Sequence, residues 1–537
     1  MFGSRTLLLT LVLSLVARSA GRLDAQTPLR EVIDGQVRAK WAAEKLTPAK
    51  PATDAEFLRR VTIDLVGSIP SYEETIAFLE SKEPTKREKL VDRLLEDPRH
   101  AQQQADTWDM ILFGRFPPGN DADKRLGFQA WLRTQFEKNV PYDELARTIL
   151  KAEGLSTDGP AMYYVQYKNA PEDATESITQ QFLGVQLQCA RCHDHPFEEW
   201  KQLDFYGMAA FLARLEVVTL NRKGSGTEST FVIGEQEVGD IQFTGPAKDA
   251  VAGKKGEPVK PKFLHATALV EPAAKDGKPA KFSNTAPPPK PKFSRKDRLA
   301  EWIADPKNPY FTKAIVNRVW GQFMGKGISH PVDNLSPSNP PVMPELMETL
   351  AKELIVHKYD LKWLTREIVL SQAYQLSGAG DGEAMPRLYH HSRTRPLSAE
   401  ELAECWRVAS GWTPSGATAA KGAKSERFRP LESGYMLRFF GTPNSGAGDF
   451  QGGLQEHLYM NNGPLGSVIG GKGSLSEFVG TASKPVEDRV RRLYLQTLNR
   501  PPTAIETEKV SAYLKSGGPA ADAVWALITS AEFRFNH

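Results

Sequence analysis

The sequence is poor in cysteine, with 3 in 537 residues against 10 histidines. It has no marked charge of either sign: Lys and Arg number 68, Asp and Glu 65, and the formal net charge is +3. Basic residues concentrate no more than locally, so nothing marks a polyanion partner, and nucleic acid is excluded as the expected substrate. Beyond the N-terminal segment no stretch approaches the ~18 uninterrupted apolar residues of a membrane helix, so no membrane span is expected in the mature chain. There is no G-x-S-x-G elbow, no H-E-x-x-H pair and no phosphate-binding loop, which leaves a hydrolase without support. No repeat of fixed period occurs, which excludes a solenoid.

What is present begins at the N-terminus. Arg5 supplies a positive charge, Leu7 to Val16 (LLLTLVLSLV) is an apolar run, and small residues follow at Ala17, Ser19, Ala20 and Ala25. Residues 1–25 are therefore expected to be a secretory signal peptide, too short to span a bilayer as a mature helix. The protein is expected to be exported, to the periplasm or beyond the cell. Composition is that of a globular protein with sizeable cores, 40% hydrophobic and 25% charged.

The predicted fold is mainly α, with two multi-helix domains joined by a small antiparallel β insertion and a Pro/Lys-rich linker. Residues 27–215 form the first helical domain. Capping boxes are predicted at Thr53/Glu56, Ser71/Glu74 and Thr85/Glu88, each followed by apolar residues at helical spacing. Trp108 and Trp131 are expected in its core. EDATESITQQFLGVQL, Glu172 to Leu187, reads as one helix, and KQLDFYGMAAFLARL as another. Residues 216–292 hold alternating β-branched and aromatic stretches (EVVTLNR, STFVIGEQEV, DIQFTG) and then GKKGEPVKPK and APPPKPKFS, an extended exposed connection. Residues 293–537 form the second helical domain, with caps at Ser294/Asp297, Ser398/Glu401 and Thr503/Glu506. Gly434 to Gly480 reads as irregular.

Two of the three cysteines fall in QCARCHDHPF, Gln188 to Phe197. Cys189-Ala190-Arg191-Cys192-His193 has the spacing of covalent haem attachment. Two thiols one turn apart suit the two vinyl groups on one porphyrin edge, and the adjacent imidazole suits the iron. Random placement would give the pattern in roughly 3 of 10,000 such chains, so composition alone is a poor explanation. Haem c on Cys189, Cys192 and His193, with His193 as iron ligand, is the leading cofactor expectation. A disulfide or redox pair, a zinc knuckle using Cys189, Cys192, His193 and His195, and a purely structural role stay open. Asp194 and His195 are candidates for outer hydrogen bonds that orient His193, or for closing a turn at Pro196. Met208, Met162, Met324 and His330 are conceivable sixth ligands without support. Cys405 is expected to be a buried thiol acting as a small hydrophobe.

FLRRVTIDLVGSIPSYEETIAFL, REKLVDRLLEDPRHAQQQADTWDMILFGR and FLGVQLQCARCHDHPFEEWKQLDFYGMAAFLAR together resemble a planctomycete cytochrome-associated domain, domain of unknown function 1549. FTKAIVNRVWGQFMGKGISHPVDNLSPSNPP, PELMETLAKELIVHKYDLKWLTREIVLSQAYQLS, RTRPLSAEELAECW, HLYMNNGPL, LYLQTLNRPPTAIE and ITSAEFRFNH resemble its companion, domain of unknown function 1553. The resemblance implies a large, secreted, mostly helical protein with a cytochrome connection and no established activity. It places the CxxCHDHPF element on Cys189, Cys192, His193, Asp194, His195, Pro196 and Phe197. In the VNRVW element, Asn317 and Arg318 could hold a carboxylate or a haem propionate, or serve buried helix-to-loop hydrogen bonding. His330, Asp333 and Asn334 lie in a Pro-bounded polar loop that could rim a site. Two functions are expected to compete: an exported haem c protein with a redox partner, and a secreted scaffold or surface-polysaccharide binder whose cysteine motif is a disulfide or metal staple.

Overall fold

The computed structural model describes residues 27–114, 126–220, 230–245, 256–272, 289–378, 383–411, 454–462, 465–470 and 473–537. The expected leader at 1–25 and the helix break at PPGNDAD lie outside these residues. The chain is mainly α, and its small antiparallel sheets have two or three strands.

Helices α1 (Leu29–Ala43), α2 (Asp54–Val66), α3 (Tyr72–Glu80), α4 (Lys86–Glu96), α5 (Pro98–Phe113), α6 (Leu126–Glu137) and α7 (Tyr142–Leu150) lead to α8 (Pro171–Ile178) and α9 (Gln202–Ala209). Strand β1 (Gly154–Leu155) and strand β2 (Leu215–Leu220) flank β3 (Thr230–Glu235), both antiparallel to it. Strand β4 (Ile241–Gln242) pairs with β5 (Pro258–Val259), which lies in the Pro/Lys-rich stretch. One residue of that stretch is tied to the first helical region: the Lys262 N–H donates to the Gly207 carbonyl at 2.9 Å, and its ammonium to Asp204 at 2.6 Å. The lysine thus lays its stem on α9 instead of extending into water. After the linker come α10 (Arg295–Ile303), α11 (Phe311–Met324), α12 (Pro344–Val356), α13 (Leu361–Val369) and α14 (Ala399–Ser410). Shorter helices occupy Leu454–Asn462, Leu465–Ile469 and Leu475–Gly480, where irregular structure was expected. A side-chain cap, Ser474 accepting from the Glu477 N–H, starts the last of these despite the local glycine content.

The predicted caps at Thr53, Ser71, Ser398 and Thr503 all form with their reciprocal glutamates, and Ser294 accepts from the Asp297 N–H at 2.9 Å. Thr85 does not cap α4. Its hydroxyl donates to Glu83 at 3.1 Å, a nearby acceptor that outcompetes the helix end.

Two apolar cores result. The larger runs from Leu29 to Tyr389 and includes Trp108, with Trp131 packed against it. The smaller joins residues from Leu397 to Phe533, Cys405 among them, to Ile63 and Ile69. Cys405 is fully buried and its thiol is pushed up to about 12 by burial, so it behaves as a hydrophobe. Helix α2 serves both cores: Phe57, Leu58, Val61 and Leu65 face the larger and Ile63 the smaller. Each such side chain contributes about 1.5–3 kcal/mol when fully buried.

The polar residue in that apolar run, Asp64, is 4% exposed. Its Oδ2 accepts from the Tyr374 hydroxyl at 2.8 Å. Its Oδ1 accepts from Arg393 (2.8 Å), Arg395 (3.0 Å) and Asn536 (2.8 Å). Arg395 also forks onto Glu401 at 2.6 and 2.7 Å. Burial alone would raise the Asp64 pKa, but the two guanidinium groups outweigh it and hold the carboxyl below its ordinary value. One carboxylate thus fastens α2 to the segment before α14 and to strand β7 (Phe535–Asn536), which pairs with β6 (Arg395–Pro396).

Candidate functional site: the Cys189–His193 turn

Helix α8 was expected to run to Leu187. It stops earlier: Thr179–Leu183 widens into a π turn, and Gly184 at φ +65° ends it. A glycine accepts this left-handed conformation without the Cβ penalty. The chain then reaches a short 3₁₀ turn, Gln188–Arg191, in which the N–H groups of Cys192 (3.3 Å) and His193 (3.4 Å) both donate to the Cys189 carbonyl. Ala190 is buried and anchors the turn, while Cys189 and Cys192 are exposed free thiols. Arg191 is fixed behind them, bonded to Asp173 (2.7 Å) and Glu176 (3.1 Å), and its carbonyl accepts from Gln202 at 3.0 Å.

The two histidines have opposite hydrogen-bond roles. His193 Nδ1 lies 2.8 Å from the Asp194 carbonyl, an acceptor, so Nδ1 donates, and in the neutral ring Nε2 keeps its lone pair. His195 Nδ1 faces two backbone donors, the N–H groups of Phe197 (3.3 Å) and Glu198 (3.0 Å). It must accept, which places the proton of the neutral ring on Nε2. His193 is therefore ready to ligate and His195 is a loop organiser. The His195 N–H also closes the loop onto the Trp200 carbonyl at 2.8 Å, leaving Phe197 at the tip, 85% exposed. Asp194 orients His193 through its carbonyl. Its carboxylate accepts from the Gln202 N–H at 2.9 Å and pairs with Lys201 at 3.2 Å, which holds it below its ordinary pKa.

Among the described residues no group of three or more His, Cys, Asp or Glu side chains is placed to hold a metal ion. Met208, Met162 and Met324 are packed into the larger core, whereas the thiols are exposed. His330 is exposed on the loop that follows α11.

That loop reaches the motif's own scaffold through hydrogen bonds whose partners spacing does not reveal. The Leu335 N–H donates to the Gly184 carbonyl at 2.6 Å, Gln180 donates to Asp333 at 2.6 Å, and Gln188, next to Cys189, donates to Gln180 at 3.2 Å. Ser338 donates to Glu198. The Pro-bounded loop thus rims the cysteine turn. A Cβ at Gly184 would lie 3.0 Å from Leu335 Cγ in a left-handed backbone. Gly184→Ala is expected to cost roughly 1–2 kcal/mol in urea unfolding. A cost near zero would show that the turn adapts freely.

Residues 32–217 match the family model described as a protein of unknown function, DUF1549, and residues 295–432 match that of a protein of unknown function, DUF1553. No curated protein and no solved structure matches the chain. The first match contains the cysteine turn and the second contains the loop that rims it, so the DUF1549-matching and DUF1553-matching segments of the chain meet at this site.

Proposed function

We propose that the chain is an exported haem c protein, serving electron transfer or a haem-dependent oxidation. In this reading Cys189 and Cys192 hold the porphyrin and His193 holds its iron. The observation that carries the reading is the pairing of two exposed thiols on one turn with an imidazole whose Nδ1 is engaged and whose Nε2 is free. Each thiol would add across a vinyl double bond, sulfur to one carbon and hydrogen to the other, with no oxidant required. Bound there, the haem would supply one-electron chemistry at the protein surface. The chain's own residues keep the turn rigid: Ala190 is buried beneath it, Arg191 is tied to α8, and Gln202 fixes both the Arg191 carbonyl and Asp194. A redox partner would meet the exposed thiol face. Export through a leader at residues 1–25 fits the compartment where such haems are attached.

The test is production with haem-attachment machinery, followed by denaturation and absorption spectroscopy. The denatured chain is expected to keep its haem band, and the Cys189→Ser/Cys192→Ser double variant to lose it. A colourless protein whose two thiols are oxidised to each other would instead support the scaffold reading, with the motif as a staple.

A further inference from the structure

Helix α11 carries two polar neighbours in an apolar run, and the structure separates their roles. Asn317 is fully used: its Nδ2 donates to the carbonyls of Ser329 (2.8 Å) and Val332 (3.1 Å), and its Oδ1 accepts from the Ser329 N–H (3.0 Å). Arg318 is 8% exposed, yet it makes one hydrogen bond, from Nη2 to the Gln181 carbonyl at 3.4 Å. No carboxylate among the described residues pairs with it. Its remaining nitrogens are not sealed from solvent. Asp333 is near enough to favour the cation without pairing with it, and its Oδ2 takes the Gln180 amide at 2.6 Å. A guanidinium has five donors in a planar fork, and with one long bond to protein this one leaves most of its fork open to an anion reaching it from solvent. Gln181 lies in the π turn that leads to Cys189, so this cation sits at the seam between the two family domains.

We propose that Arg318 is the receptor for a carboxylate group at this seam. Arg318 is suited to two-point recognition of a planar carboxylate, which a lysine would not give. The carboxylate has two candidate sources, a propionate of haem held at Cys189 and Cys192 or a free organic acid. The first source rests on the haem reading; the second does not.

The experiment is modification of the full chain with phenylglyoxal, followed by peptide mass mapping at Arg318. In the Cys189→Ser/Cys192→Ser variant, which cannot form the thioethers, Arg318 is expected to react. If the source is a free acid, succinate at about ten times its dissociation constant slows that reaction about tenfold. If the source is a propionate, the haem-loaded wild type is protected without succinate and the double variant gains nothing from it. Arg318 unreactive in every form would show that Asp333 already holds it or that packing shuts it off from solutes, and would overturn the proposal. Reaction with no protection in either arm would overturn it too. A colourless wild type removes the propionate source and leaves the succinate arm intact. Thermal melting of Arg318→Met adds a second readout: an unchanged or raised Tm in the ligand-free chain, with any succinate-induced rise lost. A lowered Tm with the succinate rise retained would mark a merely structural arginine.

Discussion

Replacing Asp64 with alanine is expected to lower the unfolding free energy by about 3–5 kcal/mol, the cost of breaking a buried ion pair from one side. The magnitude follows from what stays behind. Arg393 is 3% exposed and would keep only carbonyl partners, at Phe323 and Gln322, while Arg395 would keep Glu401. The Tyr374 hydroxyl would lose its acceptor, and the Asn536 amide would keep only the Arg60 carbonyl at 3.5 Å. Asp64→Asn preserves the shape but removes the charge and turns an amide donor toward donors, so it should recover little. Urea unfolding with an unchanged slope would measure the loss. A cost below about 1 kcal/mol would mean that the carboxylate is not the tie between α2 and the C-terminal strands.

The second large effect is a loss of stability in mild acid. His100 is 3% exposed, and its Nδ1 bonds the Leu65 carbonyl at 2.8 Å. Burial pushes its pKa down from 6.5 to about 4. The unfolded chain therefore takes up the proton first as pH falls. The contribution is fully present above pH 6.5 and declines as pH drops toward 4, by about 3 kcal/mol in total. Asp64 acts lower on the scale: its folded pKa is depressed, so its contribution survives this window and fails only below the ordinary value of 3.8. Urea unfolding at several values between pH 7 and 4 should show a steep wild-type slope and a flatter one in His100→Asn. The absolute cost of losing the Leu65 bond is irrelevant to that comparison. Parallel slopes would contradict the assignment.

Local features of the fold were legible in the sequence because local chemistry decides them. Thr53, Ser71, Ser398 and Thr503 each offer a hydroxyl three residues before a glutamate, and that spacing alone builds the cap. Thr85 has the same spacing and fails because Glu83 competes, a contest that spacing does not reveal. The cysteine turn was visible as a motif. Its histidine roles were not, since they depend on which backbone groups the folded loop aims at each ring. The early end of α8 had one signal, Gly184, but the π widening before it has no sequence signature of its own. The Asp64 network and the Gln181 end of the seam at Arg318 were hidden because their partners lie 137 to 472 residues apart. A lone acidic or basic residue in an apolar run was the only hint of either.

Intact mass of the matured, purified chain decides whether the surface turn holds haem covalently. Thioether attachment would make the polypeptide heavier by one haem, with the added mass on the peptide containing Cys189 and Cys192. A mass equal to the bare polypeptide, with both cysteines recovered unmodified or joined to each other, would contradict it.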